Sequence, residues 1–461
     1  MINLYCLECN KKLKNIQISN KRCICDSSRD ISQDISIQKD ISIKIKNLFT
    51  KRKNIEKLKK FEYGKTIIPL SKSTFSSEEI IESMQSHLST YLTMGTKVGL
   101  FEKSFSKYLK TKSSIAVTSG STANSLALAI LSSPMVKNHL KPGDEIITTP
   151  LTFATSVYPI EDIGCKPVFV DIDLETLNID EKKIEKSITN KTRAIMPVHL
   201  LGIPCKIDKI KAIAKKHNLF LIEDAADSSG AEYKGKKLGS FGDISTFSFF
   251  YTHIMTTIEG GMVSTNNKYF AELAKSKRAF GWIRDLKDKK KIEKKYKNID
   301  PRFLFITKGF NFKPTEVQGA FGMHQIKKLD SLIDARRKNA NYWAKRLAKF
   351  EEYLIIIKEM KNTKYAWYGY PIIVKEEAPF SKNQLIKFLN SKGVQTRPIL
   401  SGNIDQQPVA KELNYRKQKL TNATLVNDNG FFIGNHHGIH KIAREAIAGY
   451  FEDFFNQYEV R

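Results

Sequence analysis

The sequence has no apolar run near the roughly 18 residues that a membrane-crossing helix needs. Its opening stretch, MINLYCLECNKK, also lacks the apolar segment of a secretory leader. A cytoplasmic protein with no membrane partner is the expectation. Cysteine is scarce, six in 461 residues, too few for a disulfide scaffold. Acidic residues are outnumbered, 48 Asp and Glu against 76 Lys and Arg, for a formal net charge of +28. That charge invites a nucleic-acid reading. However, no zinc-finger array, RNA-recognition signature or basic stripe interleaved with aromatics is present. Lysine far outnumbers arginine and comes with abundant Ile and Asn, so the excess reads as a compositional bias over solvated surface. A polyanionic small molecule, and no nucleic acid, is the expected partner.

The length suits two or three domains. Four of the cysteines crowd the first 30 residues as Cys6-x2-Cys9 and Cys23-x-Cys25, separated by thirteen residues. Paired thiols at that spacing could hold zinc, although Cys-x-Cys is tighter than the usual knuckle, and free thiols in a leader are the simpler reading. Residues 31–65, with a DIS repeat and then a lysine-rich stretch, read as a linker or a solvated helix. From about residue 66 short apolar runs alternate with amphipathic segments: SIAVT at 114–118, EIITT at 145–149, PVFVDID at 167–173, RAIMPVHL at 193–200, LFLIED at 219–224 and ISTFSFF at 244–250. Between two of them Ile207, Ile210 and Ala214 mark one face of a helix ending near Asn218. This rhythm predicts an α/β fold with a mostly parallel sheet, its ligand at the carboxyl ends of the strands. The large domain is placed at 66–335 and a smaller C-terminal α+β domain at 336–461, with YPIIV as a strand. Residues 314–350 read as two long helices, and the charged insert 286–298 as a solvated loop.

Three segments carry chemistry. In VTSGSTANSLALAIL a strand ends at Ser119-Gly120 and a helix opens with Ser121 and Thr122. Free N–H groups and hydroxyls there offer a seat for a phosphate, a weak signal taken alone. In LFLIEDAADSSG, Asp224 follows a strand directly; it could pair with a pyridinium N–H, or merely cap a helix. The third is ISTFSFFYTHIMTTIEGGMVST, residues 244–265.

With LTFATSVYPIED, VHLLGIPCKID, GFNFKPTEVQGAFGMHQIKKLD and TRPILSGNIDQQP, these motifs resemble the DegT-type nucleotide-sugar aminotransferases from about residue 66 to the C-terminus. The resemblance implies the type I fold of pyridoxal-phosphate (PLP) enzymes, a homodimer with active sites at the subunit interface, and glutamate as amino donor. Carried over by position, Gly120, Ser121, Thr122 and Ser248 would hold the cofactor phosphate and Phe153 would stack on the ring. Asp224 would face the pyridine nitrogen, His199 would lie near the ring oxygen, and Asn311 of a second subunit would reach the phosphate.

Members of this family carry a lysine, covalently bound to the cofactor, six residues before the Glu of a Glu-Gly-Gly turn. Glu259 fixes that count, and the position is His253. Imidazole cannot make that bond but can move a proton. The same replacement marks the 4-keto-6-deoxyhexose 3-dehydratases, which Ser401-Gly402-Asn403, Gln407-Pro408 and Phe432-Ile433-Gly434 also resemble. The resemblance implies a pyridoxamine-phosphate (PMP)-dependent dehydratase of a nucleotide-linked 4-keto-6-deoxyhexose, with His253 and Asp224 as catalytic residues. The alternatives are an aminotransferase-like enzyme and a noncatalytic sugar-nucleotide binder. Two departures stand out. Ile254 occupies the place of a usual second histidine, and Ile258 that of the usual Gly before Glu-Gly-Gly, which should change the turn. Segment 277–298 has no cysteine, so no iron–sulfur cluster is expected there.

Overall fold

The computed structural model describes Leu4, Leu13, Lys21 and residues 31–459. Cys6, Cys9, Cys23 and Cys25, the expected zinc ligands, lie outside them. Among the described residues no group of three or more His, Cys, Asp or Glu could hold a metal ion. Nor is any helix there long and apolar enough to cross a membrane.

The first helix among the described residues is α1 (Ser32–Leu58), in the segment 31–65 that reads as a linker or a solvated helix. One face explains it: Ile31, Ile35, Gln38 and Ser42 are buried, and the helix packs on α2 (Ser77–Leu88). Its lysine-rich remainder is exposed. Next come α3 (Thr96–Leu109), β1 (Ser113–Val117), α4 (Gly120–Leu131), β2 (Glu145–Thr148), β3 (Lys166–Phe169), β4 (Thr192–Ile195), α5 (Ile207–Lys216), β5 (Phe220–Asp224), β6 (Ile244–Ser248), β7 (Gly261–Thr265) and α6 (Lys268–Arg278). As the apolar spacing predicts, α5 buries Ile207, Ile210 and Ala214.

The main sheet has eight strands in the order β1-β7-β6-β5-β4-β2-β3 plus the short strand Arg416–Lys417. β7 pairs antiparallel with both β1 and β6, and every other pairing is parallel. Strands covered on both faces need apolar residues at consecutive positions. Ile115, Ile146, Ile222 and Val263 point to one core with Leu126 and Ile130 of α4 and Leu273 of α6. Their neighbours Ala116, Ile147, Leu221 and Met262 point to the other, with Phe101 and Phe105 of α3.

Segment 286–298 is not wholly a loop: α7 (Lys289–Lys295) forms one short helix that buries no residue. The expected pair of helices is a single one, α8 (Glu316–Leu347), since no proline or capping glycine interrupts it. Gly319 is tolerated inside α8 because a Cβ there would lie 2.5 Å from the Val98 nitrogen of α3. The boundary expected at 335/336 therefore falls within α8. Ile326, Leu329 and Ile333 belong to a large-sheet core, whereas Ala340, Trp343 and Leu347 belong to a third, C-terminal core. That core is built on a four-stranded antiparallel sheet containing β8 (Gly369–Val374, the YPIIV strand) and β9 (Gly430–Gly434), covered by α9 (Lys441–Glu459). Arg416–Lys417 leaves this domain to extend the large sheet beside β3, and Arg416 grips Glu145 of β2 with Nε and Nη2 at 3.0 and 2.9 Å.

Candidate active site

The carboxyl ends of β1, β2, β4, β5 and β6 meet a loop of the C-terminal domain around a cavity of about 370 Å³, within the usual range for small-molecule sites. Gly120, Ser121, Phe153, Asp224, Ser248 and His253 line it. Ser119 caps α4: its hydroxyl accepts from Thr122 N at 3.2 Å, while Thr122 Oγ1 accepts from Ser119 N at 2.9 Å. This box commits the Thr122 side chain to the helix end, and Thr122 does not reach the cavity. The amides that follow, at Gly120 and Ser121, open the helix on the cavity wall. A Cβ at Gly120 would lie 2.5 Å from the Cβ of Ser248 and 2.8 Å from its hydroxyl, so only glycine lets β6 and α4 approach this closely. The result is a polar cradle at a helix N-terminus, which suits a phosphate.

At the opposite side Asp224 is 1% exposed and accepts three hydrogen bonds: Asn124 Nδ2 at 3.0 Å, Ser156 Oγ at 2.7 Å and Ala226 N at 3.1 Å. Thr152 Oγ1 in turn donates to Ser156 at 3.0 Å, and Asn124 Oδ1 is buried with no partner. A carboxylate fixed this firmly at a strand end can pair with a ring N–H. Phe153 forms a wall with 54% of its surface exposed. The cradle, the aromatic wall and the anchored carboxylate together fit a PLP-type cofactor.

His253 lines the cavity in the turn after β6, and no lysine does. Its side chain keeps 15% exposure while Nδ1 is sealed from solvent, so another edge of the ring faces the cavity. Burial, helped by the nearby Arg336 guanidinium, pushes its pKa down to about 4, so the ring is neutral at physiological pH. Asp227, one turn beyond Asp224, brings Oδ1 to 3.4 Å from Nδ1. Burial and the charge of Asp224 push Asp227 up to about 7. Tyr368 tilts over the imidazole at 5.2 Å between centroids and shares a 3.0 Å hydrogen bond with Thr252.

Besides Thr122, two expected cofactor residues lie off the cavity wall of this chain. His199 is fully buried behind Val198: its Nε2 sits 3.3 Å from Glu223 Oε2 and its Nδ1 accepts from Cys205 N at 3.1 Å. Past the end of β4, Val198 bridges to Asp224 and lines the cavity, whereas His199, at the start of the short turn Leu200–Gly202, does not. Asn311 is exposed, outside the cavity of its own chain, beside Lys313. Of the two departures, Ile254 is 1% exposed and packs in the core that holds Phe101 and Phe249, so it affects packing rather than the cavity. Ile258 takes the left-handed backbone that glycine favours, φ +73°, despite its branched Cβ. Sequence reasoning missed Asn124, Ser156, Asp227, Arg336 and Tyr368. Asn124 and Asp227 had a usable signal, standing one helical turn after Gly120 and three residues after Asp224.

Residues 74–449 match the DegT/DnrJ/EryC1/StrS aminotransferase family. The chain is 38% identical, over 373 residues, to the GDP-4-keto-6-deoxy-D-mannose 3-dehydratase of Yersinia pseudotuberculosis, covering 80% of this chain and 94% of that one. It is 36% identical, over 309 residues, to the GDP-perosamine synthase of Caulobacter vibrioides, covering 67% and 77%. The solved structure of the E. coli GDP-4-keto-6-deoxy-D-mannose-3-dehydratase with bound hydrated PLP aligns with a TM-score of 0.78 at 35% identity, over 84% of this chain and all of that one. The expected α/β class and type I fold are thereby borne out. With a family match over residues 74–449, on a sheet with one reversed strand, this chain belongs to the DegT/DnrJ/EryC1/StrS aminotransferase family.

Proposed function

We propose that the protein is a PLP/PMP-dependent 3-dehydratase of a nucleotide-linked 4-keto-6-deoxyhexose. The observation that carries this is the neutral His253 where family aminotransferases have lysine, in a cavity with no lysine on its walls. When bound, the cofactor would supply an amine to condense with the sugar's ketone and a ring that accepts electron density. Gly120, Ser121 and Ser248 would hold its phosphate, and Phe153 would cover one face. Asp224, wired to Asn124 and Ser156, would keep the ring nitrogen protonated. His253 would move the proton at the C4′ carbon as the 3-hydroxyl leaves. Arg397, which borders both this cavity and a smaller adjoining one of about 130 Å³, is placed to meet the anionic nucleotide.

The same reading includes glutamate as the amino donor, a cytoplasmic location and a homodimer. Asn311 and the half-exposed Phe153 support the dimer, since a second copy would bring Asn311 to the phosphate. On spacing alone, Cys6, Cys9, Cys23 and Cys25 would bind one zinc ion, which metal analysis of the reduced full chain decides. The aminotransferase reading keeps a place because the GDP-perosamine synthase relative matches so much of the chain. Mass spectrometry of products from a panel of nucleotide 4-keto-6-deoxy sugars, with PLP and glutamate, separates the two. A 3-deoxy product supports dehydration, and an amino sugar refutes it.

A further inference from the structure

The buried side of His253 is organised by Asp227, Tyr368 and Arg336, the first two of which also line the cavity. Asp227 follows β5, lies 7% exposed and accepts one backbone hydrogen bond, from Leu201 N at 3.3 Å. Its Oδ1 is the carboxylate oxygen nearest to His253 Nδ1, at 3.4 Å, and Nδ1 has no hydrogen-bond partner in this conformation. Arg336 reaches the same place from α8, 2% exposed and held by the carbonyls of Trp367, Tyr368 and Asn435. From the remaining sides Tyr368 faces the ring, and Asp224 is the other acid that acts on Asp227.

A neutral imidazole has one protonated and one bare nitrogen, and the hydrogen bond made by one decides the state of the other. We infer that Asp227 is the positioning residue of His253, fixing which ring nitrogen carries the proton and so whether the edge facing the cavity is a base. As a carboxylate, Asp227 draws the ring proton to Nδ1 through a small rotation and leaves the Nε2 lone pair for the C4′ proton. As a carboxylic acid, it keeps its proton and donates a hydrogen bond to a bare Nδ1; the single ring proton then sits on Nε2, reached by exchange through solvent, and the base is masked. No net charge change of His253 is needed. Arg336 favours the carboxylate, while burial and Asp224 favour the acid, which brings the switch to about pH 7. Since His253 itself gains a proton only near pH 4, the switch belongs to Asp227. This inference rests on the dehydratase reading for its catalytic meaning, but the tautomer can be observed without substrate.

The test is nitrogen NMR of full-length protein labelled in its histidine rings, with the His253 signals assigned by their loss in His253→Asn. In the wild type, His253 should carry its proton on Nδ1 at pH 8.5 and shift toward the Nε2-protonated form through about pH 7. Asp227→Asn should abolish that inflection, and Asp227→Glu should restore it at a displaced pH. A wild-type tautomer unchanged between pH 5.5 and 8.5, or an inflection that survives in Asp227→Asn, overturns the inference. If the protein proves to be a dehydratase, Asp227→Asn should also lower kcat by about 10²–10⁴-fold, in line with misplaced tautomers in other histidine–carboxylate pairs, and remove the acid limb of the pH profile. A protein that shows the tautomer switch but makes no 3-deoxy sugar would refute the functional reading and leave this one standing.

Discussion

Ser156 donates its hydroxyl proton to Asp224 at 2.7 Å, and Asn124 donates to the same carboxylate oxygen at 3.0 Å. Because two donors converge on one oxygen, the other is held only by a backbone amide and is free to turn to a ring N–H. Asp224→Asn should abolish activity and weaken cofactor retention on dialysis, read by absorbance. Ser156→Ala, which leaves Asn124 and the backbone contact in place, should cost about 1–3 kcal/mol of stability and only part of the activity. Equal effects of the two changes would contradict the assignment of the pyridine partner.

Cofactor should not be fixed to the wild-type protein by borohydride, since imidazole offers no amine to trap. His253→Lys should make it trappable and suppress dehydration, as the lysine competes for the aldehyde. Mass spectrometry of the reduced protein reads the outcome. Covalent cofactor in the wild type would remove the main support for the dehydratase reading.

His253→Asn keeps a polar side chain in the same turn but removes the base. Cofactor binding should survive, with proton transfer at C4′ slowed by roughly a hundredfold or more. Near wild-type turnover would mean that another group is the base.

Ile258 carries a branched side chain at φ +73°, a backbone region that costs such residues on the order of 1–2 kcal/mol. Its side chain is 45% exposed, so little packing is lost on truncation. Ile258→Gly should raise the Tm; a fall of more than a degree would show that the strain is offset by contacts in the assembled protein.

With a net charge of +28, kcat/KM for a nucleotide sugar should fall as salt rises, because screening shortens the reach of the attraction. Binding of duplex DNA tighter than micromolar at physiological salt would instead favour a nucleic-acid role.

The sheet was legible because a parallel strand buried on both faces writes itself as consecutive apolar residues, with Gly120, Asp224 and Ser248 at or just past the ends of such runs; their roles, and His253 counted back from Glu259, came from the family resemblance. What escaped was contact across the chain. Arg336 is 83 residues beyond His253 and looks like any other arginine on a charged helix until folding buries it. For His199 the motif was clear, but only the fold shows its side chain buried beside Glu223, off the cavity wall. The reading of 31–65 left a linker and a solvated helix open because only four spaced positions, two of them polar, anchor α1.

The unbroken course of α8 bears on how the molecule comes apart. A rod of 32 residues embedded in two cores ties their fates together, for neither can loosen without exposing half of the helix that the other still grips. Heat should therefore melt the catalytic sheet and the C-terminal sheet in one calorimetric transition.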